Sequence, residues 1–99
     1  MMQARLIRLD NNEMIIIDKP VYRIGREKSY VDDCIPNSVI SRCHCNIISR
    51  TDGFYLLDCH STNRTYINGV CLLLATEVLL HHGDEVRLAN LYFRFEEVH

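Results

Sequence analysis

Apolar and β-branched residues occur along the chain in runs of about four to eight residues, separated by clusters of turn residues. Examples are ARLIRL, EMIIID and VYRIG near the N-terminus and LYFRFEEV near the C-terminus. No stretch longer than about ten residues keeps the apolar period of an amphipathic helix. The pattern therefore predicts a chain built almost entirely of short β-strands.

Turn signals indicate how these strands are connected. Asp52-Gly53 separates CHCNIIS from FYLLD, and Asn68-Gly69 separates TYI from VCLLL. Both dipeptides are typical of tight hairpins, because they tolerate positive φ angles. The segments EVLL and EVRLA are expected to meet across HHGD in the same way. Roughly ten closely spaced strands indicate an antiparallel β-sandwich with its loops gathered at two ends.

Residues 27–39 are the least regular part of the chain. They combine charged and small residues with Pro36, and they predict a long loop with one short strand around Asp33–Ile35. The total of 99 residues is close to the commonest domain size, so residues 1–99 are expected to form a single domain, whether alone or as one module of a longer protein.

Composition excludes several classes of function. A net charge of −2 argues against general affinity for nucleic acid, and no apolar run is long enough to span a membrane. The five cysteines are an odd number and follow no signal-peptide pattern, which favours reduced thiols in a cytoplasmic protein.

The stretch SRCHCN carries the residue types of a metal site or a thiol enzyme. On a strand, Cys43 and Cys45 would face one side and His44 the other, so the three cannot converge on one ion or form a Cys/His pair. We expect both cysteines to fill the core. We expect His44 to bond nearby backbone and to hold the loop that contains Ser41. No catalytic residue, metal or cofactor is predicted.

Three short segments, IGRE, SRCH and STNRTYING, place polar groups at strand-to-loop junctions. If these junctions share one end of the sandwich, they form a shallow polar site. Its donors would be Arg26, Ser41, Arg42, Thr62 and Asn63. Arginine forks, hydroxyls and an amide suit an anion with several oxygens, and no nucleophile–base pair is present among them.

The ordered set GR, SRxH, STN and NG resembles the forkhead-associated (FHA) domain, a phosphothreonine-peptide-binding module. The resemblance runs from about Tyr22 to Phe95 and implies an eleven-stranded β-sandwich with binding loops at one end. It implies a phosphopeptide-binding set of Arg26, Ser41, Arg42, Thr62, Asn63 and Arg64. It implies structural support from Gly25, His44, Asn68 and Gly69. Val39 matches a position that reads the third residue after the phosphothreonine in some members.

One position departs from the family pattern. Where the family usually has glycine after the asparagine, this chain has Arg64. Glycine takes a positive φ at no cost, whereas arginine in that conformation costs ~1 kcal/mol or more. The loop is therefore expected either to take a different path or to bear strain. Arg64 would also add charge beside the phosphate.

The sequence thus predicts a non-catalytic module that recognises phosphothreonine in a partner protein, the product of a Ser/Thr kinase, for signalling or assembly. Neither nucleic acid nor a membrane is an expected partner. The alternative is a scaffold domain of the same fold whose phosphate pocket is idle.

Overall fold

The computed structural model describes residues 3–98, which form eleven β-strands and no helix. Accordingly, this part of the chain contains no helix that could cross a membrane. The strands are β1 (Gln3–Arg8), β2 (Met14–Ile17), β3 (Val21–Gly25), β4 (Asp33–Cys34), β5 (Cys45–Arg50), β6 (Gly53–Asp58), β7 (Thr65–Ile67), β8 (Val70–Cys71), β9 (Val78–Leu79), β10 (Glu85–Leu88) and β11 (Leu91–Val98). The predicted all-β fold with about eleven strands is confirmed.

The strands form two sheets. One has six strands in the order β2-β1-β11-β10-β7-β8, and the other has five in the order β4-β3-β5-β6-β9. Neighbours are antiparallel except β3 and β4, which are parallel with Ile24 opposite Asp33. Residues 26–32 fold back before β4 begins, so this short edge strand runs in the same direction as β3.

Two predicted hairpins are confirmed, and a third is wrong. Arg50 pairs with Gly53, and Ile67 pairs with Val70, across two-residue turns. By contrast, β9 pairs with β6 in one sheet, whereas β10 pairs with β7 and β11 in the other. The HHGD segment is a turn in which the Asp84 amide donates to the His81 carbonyl (3.0 Å), and it carries the chain between sheets.

The core lies between the two sheets and draws on both. Leu6, Phe93 and Phe95 from the six-stranded sheet and Ile47 and Leu56 from the five-stranded sheet are fully buried. Their alternation with exposed positions follows the period of two that the sequence showed.

The expectation that Cys43 and Cys45 share one face of a strand is wrong. Strand β5 begins only at Cys45, and the backbone bends at Arg42 and Cys43. The bend breaks the alternation, so His44 and Cys45 are both fully buried while Cys43 is half-buried. Cys45 therefore fills the core as expected, and Cys43 does not.

Strand directions separate the two ends of the sandwich. The segments 26–32, 35–44 and 59–64 lie at the end where β3 and β6 finish and where β5 and β7 start. A cavity of about 1230 Å³ opens at the opposite end, lined by residues such as Lys19, Ser49 and Arg50. None of its lining residues belongs to the three segments.

Candidate functional site

The loop after β3 runs alongside the loop before β5. The Arg26 amide donates to the Ser41 carbonyl (2.9 Å), and the Glu27 amide donates to the Arg42 carbonyl (3.1 Å). Gly25 makes this close approach possible, because a Cβ atom at that position would lie 2.1 Å from the Arg42 carbonyl oxygen. The first two predicted segments are therefore brought together by backbone contacts that require glycine.

The Arg26 side chain is exposed but held in place. Its Nε donates to the carbonyl of Ile40 at 2.9 Å. The terminal guanidinium nitrogens have no hydrogen-bond or ion-pair partner within residues 3–98. The fork is thus anchored at one edge, and its other donors are available to a ligand.

Ser41 and Asn63 connect the loop before β5 to the loop after β6. The Ser41 hydroxyl oxygen accepts a hydrogen bond from the Thr62 amide (3.0 Å). Its proton has no acceptor in the described part of the chain, so the hydroxyl remains a donor. The Asn63 side-chain amide donates to the Val39 carbonyl (2.9 Å), which leaves one N–H and Oδ1 for further bonds.

His44 is fully buried beneath these loops and bonds to backbone at both ring nitrogens. The Ser41 amide donates to Nδ1 (3.1 Å), so the ring proton is on Nε2, which donates to the Arg64 carbonyl (2.9 Å). Burial lowers the pKa of His44, while the bond to Arg64 and the negative charge of Asp58 act in the opposite direction. The prediction that His44 braces the loop of Ser41 through backbone bonds is confirmed.

Asp58, at the end of β6, is a supporting residue that the sequence analysis missed. This buried carboxylate accepts hydrogen bonds from the amide and the hydroxyl of Ser61 and from the Thr65 hydroxyl (2.7 Å). Burial raises the pKa of Asp58, but these donated bonds outweigh it and the net pKa is lowered. The signal in the sequence is an aspartate three residues before a serine at a strand end, a common turn-forming spacing.

Arg64 has a φ of 69°, in the left-handed region. Of the two outcomes expected at this position, the structure has the strained one. The Arg64 carbonyl accepts from the His44 ring and from the Ala89 amide (3.1 Å), so the position joins both sheets. This anchoring holds a non-glycine residue in an unfavourable conformation.

Of the remaining predicted residues, two lie at the loops and two do not. Arg42 is exposed at the loops, and Val39 is half-buried against the core. Asn68 and Gly69 lie at the opposite end of β7, where Asn68 bonds Asp84 and Glu85. Because β7 separates this turn from Arg64, the structure does not bring Asn68 and Gly69 to the loops.

The site can bind an oxygen-rich anion, since the unpaired groups of Arg26 and Ser41 are donors. The Asp58 carboxylate beneath the loops is buried and already accepts from Ser61 and Thr65. Within residues 3–98 no group of three His, Cys, Asp or Glu side chains is arranged to hold a metal ion.

Solved structures share this fold over nearly the whole chain. The Mycobacterium tuberculosis protein EmbR, in complex with a low-affinity phosphopeptide, superposes with a TM-score of 0.88 at 22% identity, covering 95% of this chain and 24% of EmbR. This chain thus spans about a quarter of the EmbR length.

Two isolated domains match with similar quality. An FHA domain from an Arabidopsis thaliana hypothetical protein has a TM-score of 0.89 at 24% identity, covering 98% of this chain and 86% of that one. An FHA domain analysed for phosphothreonine-dependent interactions has a TM-score of 0.85 at 24% identity, covering 98% and 97%. At these identities the likeness establishes the fold.

The family assignment comes from the sequence. No curated protein matches the chain. The family model described as FHA domain matches residues 22–89, which include all three loops of the site. FHA domains are non-catalytic binding modules that generally bind phosphothreonine peptides. With the two-sheet fold, the match over most of its length establishes that this chain belongs to the FHA domain family.

Proposed function

We propose that the three loops bind a phosphothreonine-containing segment of a partner protein, produced by a Ser/Thr kinase. The observation that carries the proposal is the hydrogen bonding of the Arg26 and Ser41 side chains. The Arg26 Nε donor and the Ser41 hydroxyl oxygen already hold the loops, while the terminal N–H groups of Arg26 and the hydroxyl proton of Ser41 have no partner within residues 3–98. Donors fixed before the ligand arrives lose little conformational freedom on binding.

Each side chain of the site would make a different contact with the phosphopeptide. Arg26 would donate to two phosphate oxygens through its terminal nitrogens, and Ser41 to another through its hydroxyl. Arg42 and Arg64 supply positive charge nearby, and Thr62 adds a hydroxyl. Asn63 would contact the peptide backbone with its remaining N–H and Oδ1, and Val39 would contact the residue three positions after the phosphothreonine.

Selectivity for phosphothreonine belongs to the same proposal. The threonine methyl group contributes ~0.8 kcal/mol if a niche buries it, so phosphoserine is expected to bind several-fold more weakly. An aspartate mimic has two planar oxygens and less charge than a phosphate, and it is expected to fail.

The test is a calorimetric titration with four peptides of one sequence that carry phosphothreonine, phosphoserine, threonine or aspartate at one position. Arg26→Ala should abolish binding of the phosphothreonine peptide while leaving the fold intact, because charge-assisted hydrogen bonds of ~1.5–3 kcal/mol each are lost. Arg26→Lys should restore little, because a lysine cannot reproduce the fork.

Arg50→Ala is the matched control, since Arg50 is an exposed arginine at the opposite end whose partner is Glu77. It should bind like the unaltered chain. Near-normal affinity of Arg26→Ala would contradict the assignment of Arg26. A folded chain that binds none of a diverse phosphothreonine peptide library would favour the scaffold alternative with an idle pocket.

A further inference from the structure

Two cysteine side chains lie next to each other beside the loop site, on the outer face of the five-stranded sheet. Asn46 and Leu57 are register partners on that face. The Cys43 thiol contacts the Asn46 side-chain oxygen (3.6 Å), which places Cys43 on the same face. Cys59 follows two residues after Leu57 and therefore points the same way.

The backbone keeps the two positions together beyond the end of the strands. The Cys59 amide donates to the His44 carbonyl at 3.0 Å, so the pairing of β5 with β6 continues by one more residue. The Cys43 and Cys59 thiols lie close enough to interact, and this interaction acts to raise the pKa of Cys59. The backbone of Cys43 packs against Gly25, where an added Cβ atom would lie 2.9 Å from the Cys43 Cα.

Accessibility distinguishes this pair from the other thiols. Cys43 and Cys59 are half-buried, so part of each residue is open to solvent. Cys45 is fully buried on the inner face. Cys34 lies on the edge strand β4 and Cys71 on β8 of the other sheet, each exposed and without a cysteine neighbour on its own strand.

We propose that Cys43 and Cys59 are a reversible oxidation site, at which a low-molecular-weight disulfide such as oxidised glutathione converts the two thiols into an intramolecular disulfide. In the first step the Cys43 thiolate attacks one glutathione sulfur, which forms a mixed disulfide and releases one glutathione thiolate. In the second step the Cys59 thiolate attacks the Cys43 sulfur and releases the second glutathione. Two protein thiols are oxidised, one glutathione disulfide is reduced, and the two thiol protons end on the two glutathiones.

Burial supports this order of attack. It raises the pKa of the Cys59 thiol to about 12, with the contact to Cys43 acting in the same direction. Burial also raises the pKa of Cys45 well above its usual value. Since the thiolate is the nucleophile, Cys59 and Cys45 are poor first attackers, and Cys59 reacts once the mixed disulfide on Cys43 lies beside it.

The disulfide would join the segment just after Ser41 to the segment just before Ser61. It requires no phosphopeptide, so the inference is independent of the proposed binding function and each can fail without the other.

The experiment uses the full chain with Cys34→Ser and Cys71→Ser, which removes the two exposed isolated thiols. The folded protein is incubated with oxidised glutathione, then denatured, alkylated without reduction and analysed by mass spectrometry. The expected product has lost two hydrogens, carries no glutathione and retains one alkylatable thiol. Trypsin cuts after Arg42 and Arg50, so Cys43 and Cys59 should appear in one cross-linked pair of peptides.

Fragmentation of that pair decides between Cys43 and Cys45, which share a tryptic peptide. The link should persist in Cys45→Ala and vanish in Cys43→Ser, and dithiothreitol should reverse it. The oxidised chain should also unfold at a higher temperature than the reduced one, because the link restricts the unfolded state. A stable mixed disulfide without the link, or a link that survives Cys43→Ser, would overturn the proposal.

Discussion

The His44 ring accepts one hydrogen bond and donates another, so only its neutral form fits the loops. A second proton would sit on Nδ1 and face the Ser41 amide, placing two donors against each other. Burial already lowers the pKa of His44 in the fold. The folded state therefore binds this proton more weakly than the unfolded state does.

This linkage predicts how stability depends on pH. His44 contributes stability above its unfolded pKa of 6.5, and the contribution is lost as pH falls from there to the lowered pKa of the fold. The loss is about 1.4 kcal/mol for each unit between the two pKa values. Urea unfolding between about pH 7 and pH 5 should show the decline, and His44→Asn should unfold with a flatter pH profile. An equal slope in both proteins would exclude His44 as its source.

Arg64 leads to a prediction based on backbone conformation. At a φ of 69°, glycine is unstrained, whereas any residue with a Cβ atom bears ~1 kcal/mol or more. We expect Arg64→Gly to unfold with a free energy about 1 kcal/mol greater than Arg64→Ala, although both remove the same charge. Chemical denaturation of the two variants measures this difference. Equal stability would show that the strain is absent.

At the scale of elements, the end of β3 is built to let another segment of chain pass over it. Gly25 lies under the backbone of Arg42 and Cys43, and the amides of the next two residues bond that segment. The geometry of Arg26 relative to Ser41 therefore depends on the absence of a side chain one residue earlier.

Gly25→Ala should consequently separate the two loops. Its methyl group would lie 2.1 Å from the Arg42 carbonyl oxygen, and relieving such overpacking typically costs 1–3 kcal/mol. We expect a lower melting temperature together with loss of phosphopeptide binding.

Gly69→Ala is the matched control for this variant. Gly69 has a φ of 82°, yet no atom lies within 4 Å of the position of an added Cβ. This variant should lose about 1 kcal/mol of stability and keep its binding, because Gly69 lies at the opposite end. If Gly25→Ala bound normally, close approach at Gly25 would not position the site.

The positions of the strands are easier to predict from sequence than the way the strands pair. The boundaries of β3, β7 and β11 follow directly from apolar alternation and turn residues. The turn before β10 cannot be predicted correctly from sequence, because a local turn signal does not reveal that the next strand joins the other sheet. The position of Cys43 is not predictable from the strand pattern, because the bend before β5 packs on Gly25, which is distant in sequence.

On the scale of the whole molecule, the loops fasten the two sheets to each other. His44 precedes a strand of the five-stranded sheet, and its ring bonds the Arg64 carbonyl, to which the Ala89 amide at the end of β10 also donates. A ligand held by these loops is therefore expected to stabilise the entire fold.

Thermal or chemical unfolding with a phosphothreonine peptide measures this coupling. A free peptide concentration 100 times the Kd should add about 2.7 kcal/mol to the free energy of unfolding. The unphosphorylated peptide should add nothing at the same concentration, and Arg26→Ala should remove the effect. Stabilisation that persisted in Arg26→Ala would indicate binding elsewhere on the molecule.

The hydrogen-bond donors of the site are easier to predict from sequence than the residues that support them. Arg26, Ser41 and Asn63 are predicted to lie together because all three are at strand-to-loop junctions. Such junctions lie close to one another when they are at the same end of a sandwich. The role of Asp58 could not be derived in the same way, because its burial depends on how β6 packs. The separation between Asn68 and the loops cannot be predicted from the sequence pattern either, because it depends on the length of β7.

Gln3 and Val98 are register partners in β1 and β11, at the end away from the loops. Directly opposed strand residues lie only about 5 Å apart. The two ends of the described chain thus lie at almost the same point, and the three loops of the candidate site lie at the other end of the sandwich. A host protein could therefore carry this domain as an insertion within one of its own surface loops, with little change in the spacing of the host chain, and the proposed phosphopeptide binding would then let that host sense phosphorylation.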